Sequence, residues 1–220
     1  MVNIAVLISG GGTNLQALLD AEAAGKIPRG KIALVVSSKA DAYGLVRAAN
    51  HGVPTAVAER RAYPDCAAFE AAIQAALAAH QIDLVILAGF LSILSPAFTE
   101  VWRGRIVNVH PSLLPAFGGD GMYGLKVHEA VLASGVPVTG ATVHHVNEVI
   151  DGGDIILQKS VAVQAGDTPE ILQRRVMEEA EWRILPEAVA QLCLLWDDKQ
   201  KAPGVLPSAS KSTKGEVTNI

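Results

Sequence analysis

The sequence predicts a single α/β domain built on a doubly wound, mainly parallel twisted sheet with helices on both faces. Three observations carry this. Short runs rich in Val and Ile alternate with longer Ala-rich stretches, which is the rhythm of βαβ units. Some runs, such as Leu84-Val85-Ile86-Leu87, are apolar at every position, as a strand covered on both faces must be. A chain of 220 residues that is 50% hydrophobic is also large enough for one sizeable core without staples.

The first run, Val2–Ile8, reads as a strand; it is far too short to cross a bilayer and lacks the basic flank and cleavage site of a signal peptide. A helix over residues 14–24, a strand over 31–37, a helix over 42–51, a helix over 65–80 and a strand over 84–88 follow. Ser95-Pro96 supplies a cap and a proline at the first helical position, so a short helix should run from Pro96 to about Trp102. A buried strand over 106–109 leads into a loop over 111–123, a helix near 126–133 and two strands over 140–146 and 155–163. Gly135-Val136-Pro137 and Asp151-Gly152-Gly153 are the turns around the first of these strands. Thr168-Pro169-Glu170 starts a last helix, which the apolar spacing carries toward Trp196. Residues 199–220 are dominated by Lys, Ser, Thr and Gly, a composition expected of a flexible tail, which leaves residues 1–198 as the domain.

Formal net charge is -4 and the Lys and Arg residues are scattered, so no nucleic-acid footprint is indicated. Cys66 and Cys193 are far apart and form no C-x-x-C pair, which argues against disulfides and thiolate zinc and fits a reducing cytoplasm. His51, His80 and His128 sit on or beside helices at no ligand-like spacing, so no metal is expected.

Ser9-Gly10-Gly11-Gly12-Thr13-Asn14 joins a buried strand to a helix, where backbone N–H groups and the helix dipole can hold a phosphate. No Gly-Lys-Ser/Thr ends the loop, and Leu15 breaks the G-x-G-x-x-G spacing, so neither an ATP P-loop nor a dinucleotide site is supported. A monophosphate ester suits the loop better. The bland alternative is a tight turn capped by Thr13 or Asn14.

Asn108 and His110 lie two residues apart on a strand and therefore face the same side at its C-terminal end, the edge where open α/β sheets bind ligands. Each alone reads as a satisfied structural residue; the pair, followed by Pro111-Ser112-Leu113-Leu114-Pro115, points to chemistry. A carboxylate partner is available at Asp151, with Asp154, Asp83 and Glu148 as competitors. His144 and His145 face opposite sides of their strand, so one of them can support the site, with His144 the candidate.

These residues resemble the folate-dependent formyltransferases, the branch that acts on glycinamide ribonucleotide. The resemblance rests on Ile8 through Gln16, Leu87-Ala88-Gly89-Phe90, Ile93-Leu94-Ser95-Pro96, Asn108 through Pro115, and Thr142-Val143-His144 leading to Asp151-Gly152-Gly153. It covers residues 2–195 in the family's order and implies a Rossmann-like sheet with Asn108, His110 and Asp151 as the catalytic trio. It further implies that the substrate phosphate sits on Gly12, Thr13 and Asn14, and that Glu181 meets the ribose. The pterin end of 10-formyltetrahydrofolate would lie against Leu91, Ser92, Ile93 and Leu94, the strand residue Asn108, and the loop Asn147, Glu148, Val149, Ile150 and Asp151. The activity implied is formyl transfer to 5'-phosphoribosylglycinamide in purine biosynthesis by a cytoplasmic monomer or homodimer, with small-molecule substrates and no nucleic-acid or membrane partner. Three departures from the family pattern concern the folate contacts: Ser92 replaces a frequent arginine, Cys66 falls where another arginine often meets the folate tail, with Arg60 or Arg61 as substitutes, and residues 118–127 form a longer loop.

Two alternatives remain at this stage. A formyltetrahydrofolate hydrolase carries an extra N-terminal domain, and a silent nucleotide-binding module would lack the polar trio. A tRNA-directed formyltransferase has a basic C-terminal domain, which residues 199–220 do not resemble.

Overall fold

A computed structural model describes residues 1–196. The strands are β1 (Val2–Ile8), β2 (Gly30–Ser37), β3 (Thr55–Val57), β4 (Leu84–Leu87), β5 (Ile106–His110), β6 (Val138–His145) and β7 (Ile155–Ala162). The helices are α1 (Thr13–Ala23), α2 (Tyr43–Asn50), α3 (Cys66–Ala79), α4 (Pro96–Val101), α5 (Leu125–Ser134), α6 (Pro169–Val176) and α7 (Trp182–Leu194). One sheet contains the strands in the order β3-β2-β1-β4-β5-β6-β7. The first five are parallel, whereas β6 is antiparallel to both β5 and β7. The direction of winding reverses between β1 and β4, which makes their C-terminal ends the topological switch point of the fold.

The β1 residues show why both faces are covered. Val2, Ile4, Val6 and Ile8 point into a core shared with Leu15 and Leu18 of α1, Val131 of α5, Leu172 of α6 and Leu185 of α7. Ala5 and Leu7 point the other way, onto Phe69, Ile73 and Leu77 of α3 and Phe98 of α4. Alternate residues of one strand therefore serve two apolar layers, and the strand reads as a continuous hydrophobic run. The helix starts expected at Ser95 and Thr168 are capped, these residues accepting hydrogen bonds from Phe98 and Ile171 at the starts of α4 and α6, and Asp65 likewise accepts from Ala68 at the start of α3.

Two features differ from the expectation. The edge strand β3 and a single 3-10 turn over Arg60–Ala62 occupy a stretch too short and too polar to carry a period. The last helix is not continuous, because a π turn over Met177–Glu181 separates α6 from α7. Leu172, Val176, Ala180, Ile184 and Ala188 are all buried at spacings of four. In an ideal α-helix each such step rotates the stripe by about 40°, so the wider π turn restores the phase and keeps both segments on the sheet. The polar tail expected over 199–220 lies outside the described residues.

His128 on α5 is fully buried and neither ring nitrogen has a hydrogen-bond partner among the described residues. Burial, reinforced by nearby His110, pushes its pKa from 6.5 to about 4. The folded protein thus refuses a proton that the unfolded chain takes up below 6.5. Its contribution to stability is complete above that pH and is lost as pH falls toward 4, to a total of about 3 kcal/mol. Urea unfolding between pH 7 and pH 4 should show this loss in the parent, and His128→Leu should flatten the pH dependence by a similar amount.

Candidate active site

The glycine loop leaves β1 at the switch point and turns into α1 without a side-chain cap. Gly12 holds the N-cap position in the left-handed region, φ 69°, and an added Cβ there would lie 2.7 Å from Gly44 Cα. Both the backbone angle and the contact with α2 therefore require glycine. With no side chain closing the end of α1, its first N–H groups and the positive end of its dipole are open to an anion.

Beside this loop, Asn14 donates from Nδ2 to Glu181 Oε2 at 2.6 Å. Both residues are buried, and Glu181 comes from the π turn. Burial raises the Glu181 carboxyl to about 7, with the Asn14 hydrogen bond opposing the shift. A carboxyl so placed changes charge near neutral pH.

The C-terminal half of β5 provides Asn108 and His110. Because a carbonyl can only accept, the 2.9 Å contact between His110 Nε2 and the Phe117 carbonyl places a proton on Nε2. Nδ1 then faces Asp151 Oδ2 at 3.4 Å. His144 on β6 is arranged likewise: Nδ1 donates to the His145 carbonyl at 2.8 Å, and Nε2 lies 3.6 Å from Asp151 Oδ1. Asn108 Nδ2 approaches His144 Nε2 at 3.2 Å, so in the neutral imidazole Nε2 accepts one amide hydrogen and the second remains for the cavity.

Asp151 reaches this cluster through the Asp-Gly-Gly turn. It adopts φ 55°, a conformation aspartate tolerates better than most residues. Gly153 packs so closely on the His145 carbonyl that no side chain fits there. Burial would raise the Asp151 carboxyl, but the neighbouring His144 and His110 rings and the Gly119 N–H together hold it below its ordinary value. Burial is the largest influence on His110 and lowers its pKa, against the pull of Asp151 and the Phe117 carbonyl. The competing carboxylates are elsewhere: Asp83 accepts from Asn3 N–H at the N-terminal ends of β1 and β4, and Glu148 and Asp154 are exposed.

The loop after β5 is fixed from below. Thr142 Oγ1 donates to the Ser112 carbonyl at 2.7 Å and accepts from Leu114 N–H at 3.0 Å, while Gln158 donates to the Leu114 carbonyl at 2.9 Å. A cavity of about 340 Å³ opens above the cluster. Asn108, His110 and Asp151 form its polar end, Phe90, Leu91, Ile93 and Ile150 an apolar wall, and Asn14 and Glu181 the side next to the glycine loop.

A family model described as Formyl transferase matches residues 2–189. The chain belongs to the formyl transferase family. It is 45% identical over 186 residues to a phosphoribosylglycinamide formyltransferase of Haemophilus influenzae, covering 84% of each chain. It is 47% identical over 188 residues to the trifunctional purine biosynthetic protein adenosine-3 of Bos taurus, covering 84% of this chain but only 18% of that protein. Among solved structures, glycinamide ribonucleotide transformylase 1 of Symbiobacterium toebii superposes with a TM-score of 0.82 at 47% identity, over 88% of each chain.

The structure brings together Asn14, Leu91, Ile93, Asn108, Ile150, Asp151 and Glu181 around one cavity, with His110 at its base and His144 behind Asp151. Gly12 and Thr13 flank it without lining it. Ser92, Leu94, Asn147, Glu148 and Val149 are not part of its wall; Leu94 packs into the core under α3, and Asn147 accepts from Val149 N–H within its own turn. Cys66 contacts Glu70, while Arg61 pairs with Glu59 and Arg60 with the Tyr63 carbonyl, so none of the three enters the cavity. Gln173 and Met177 line it without having been singled out. Their spacing of four before Glu181 was the available signal, since it places Gln173, Met177 and Glu181 on one helix face.

No group of three or more metal-ligating side chains occurs among the described residues, and no helix among them is long and apolar enough to cross a membrane. Gly12→Ala should destabilise the protein by about 1–3 kcal/mol through the left-handed backbone and the Gly44 contact. Urea unfolding would measure this, and Gly11→Ala, where an added Cβ meets nothing within 4 Å, should cost less.

Proposed function

We propose that this chain transfers the formyl group of 10-formyltetrahydrofolate to the amine of 5'-phosphoribosylglycinamide, a step of purine biosynthesis. The observation that carries the reading is the meeting of two half-sites at one cavity: Asn14 and Glu181 beside the uncapped glycine loop that flanks it on one side, and the Asn108, His110 and Asp151 cluster with an apolar wall on the other. A phosphorylated amine bound at the first reaches a formyl donor packed on the second. Similarity to relatives named as phosphoribosylglycinamide formyltransferases supports the same reading.

In this mechanism the neutral amine attacks the formyl carbon, giving an oxyanion and an ammonium on one tetrahedral centre. The free amide hydrogen of Asn108 donates to the oxyanion, while His144 fixes the orientation of that amide. His110, protonated on Nε2, carries positive charge when Nδ1 also gains a proton, and Asp151 stabilises that form. The amine proton leaves toward the Asp151 side, and a proton is delivered to the folate nitrogen as its bond to carbon breaks. Glu181 and Asn14 hold the ribose end, and the N–H groups of Gly12, Thr13 and Asn14 hold the phosphate. Leu91, Ile93 and Ile150 pack against the pterin, whose apolar faces match them.

The composition and the small cavity support a cytoplasmic enzyme of small molecules that acts as monomer or homodimer, without metal, nucleic acid or membrane. Residues 1–198 constitute the catalytic domain on this reading, and 199–220 an appended polar tail.

The test is the absorbance change of 10-formyltetrahydrofolate with glycinamide ribonucleotide, water or methionyl-tRNA as acceptor. Turnover that requires the ribonucleotide is the expected result. Turnover with water alone indicates a hydrolase, and silence with every acceptor a binding module. Asn108→Ala should lower kcat by about 10²–10³, the loss typical of one oxyanion donor, with little change in either KM.

A further inference from the structure

The geometry points to Arg47 of α2 as a positioning residue for the substrate phosphate, acting through the glycine loop; this rests on the proposed ribonucleotide substrate. Arg47 donates from Nε to the Gly11 carbonyl at 2.8 Å and from a terminal nitrogen to Gln16 Oε1 at 3.1 Å. Its guanidinium carbon lies 5.0 Å from the centre of the Tyr43 ring, which holds the fork in place. One turn earlier, Gly44 N–H donates to the Gly10 carbonyl at 3.1 Å.

Two successive loop carbonyls are thus bound by one helix. In a planar trans peptide the carbonyl of one residue and the N–H of the next point in opposite directions. With the Gly10 and Gly11 carbonyls turned to α2, the N–H groups of Gly11 and Gly12 point away from it, ready for an anion. Gly44 permits the approach, since a Cβ there would collide with Ile8 Cδ1.

Gly44 can supply only a backbone donor, so the Gly11 peptide depends on Arg47. Losing the guanidinium frees that peptide to rotate and present its carbonyl to the phosphate, which an anion site cannot tolerate. The effect should be confined to ligands that carry the phosphate. The cluster around Asp151 belongs to other elements and does not involve Arg47.

The experiment combines kinetics with direct binding for the wild type, Arg47→Gln and Arg47→Lys. The acceptors are glycinamide ribonucleotide and its dephosphorylated riboside, and calorimetry follows ribose 5-phosphate. Arg47→Gln should raise KM for the ribonucleotide by about tenfold, the loss expected of one charged hydrogen bond. KM for the riboside, KM for the formyl donor and kcat at saturation should not change. Arg47→Lys should recover part of the loss, because an ammonium can reach the carbonyl without the planar fork. Ribose 5-phosphate affinity should fall in parallel. Equal losses on both acceptors, or an unchanged ribonucleotide KM with unchanged ribose 5-phosphate binding, would overturn the assignment. If the wild type formylates neither acceptor yet binds ribose 5-phosphate through Arg47, the reaction is wrong and the assignment stands. Absence of both turnover and binding rejects both.

Discussion

Asp151 is held with one carboxylate oxygen 3.4 Å from His110 Nδ1 and the other 3.6 Å from His144 Nε2, while Gly119 N–H donates to it at 2.9 Å. A half-buried carboxylate requires such partners, since leaving the charge unpaired away from water would cost several kcal/mol. Each partner arrives from a different element: β5, β6 and the loop before α5. The turn that carries Asp151 therefore has to return across the end of β6, and it does so only because Gly153 lets its backbone lie against the His145 carbonyl. The same pairing ties residues 117–119 to the floor of the cavity, through the Phe117 carbonyl on His110 and the Gly119 amide on Asp151.

The topology explains why this cluster faces a phosphate loop. Reversal of winding between β1 and β4 leaves a crevice at their C-terminal ends, with β5 beside it. Asn14 follows the glycine loop after β1, Gly89 and Phe90 follow β4, and Asn108 and His110 end β5, so three neighbouring strands bring residues to one cavity that the turn after β6 completes with Ile150 and Asp151. The antiparallel β6 and β7 do not extend the crevice; they supply His144 and the supporting Thr142 and Gln158. On the opposite wall, Glu181 is aimed inward by the π turn, which also keeps the helix on the core.

Most of this architecture was legible because its signals are local. Apolar runs marked the central strands, and Ser95-Pro96 and Thr168-Pro169 marked helix starts. The identical facing of Asn108 and His110 followed from the two-residue strand period. What was not legible depended on long-range geometry. Asp151 could not be separated from Asp83, Asp154 and Glu148 by pattern, since only the path of the turn brings it to the histidines. Alternation in the strand allowed one of His144 and His145 to face the site, and the pairing of Asn108 with His144 across β5 and β6 shows why the candidate His144 is the one that does. Thr55-Ala56-Val57 is too short to show alternation. The π turn was written in the repeated spacing of four, but a single continuous helix explains most of the same positions.

The central claim is that Asp151 sets the protonation of the buried His110 ring. Titrating the imidazole resonances by NMR in the wild type and in Asp151→Asn measures this directly. The account predicts that neutralising the carboxylate moves the His110 pKa further down, because burial then acts without its opposing charge. A His110 pKa that is unchanged or raised in Asp151→Asn would contradict it, because the carboxylate would then not be what favours the charged ring.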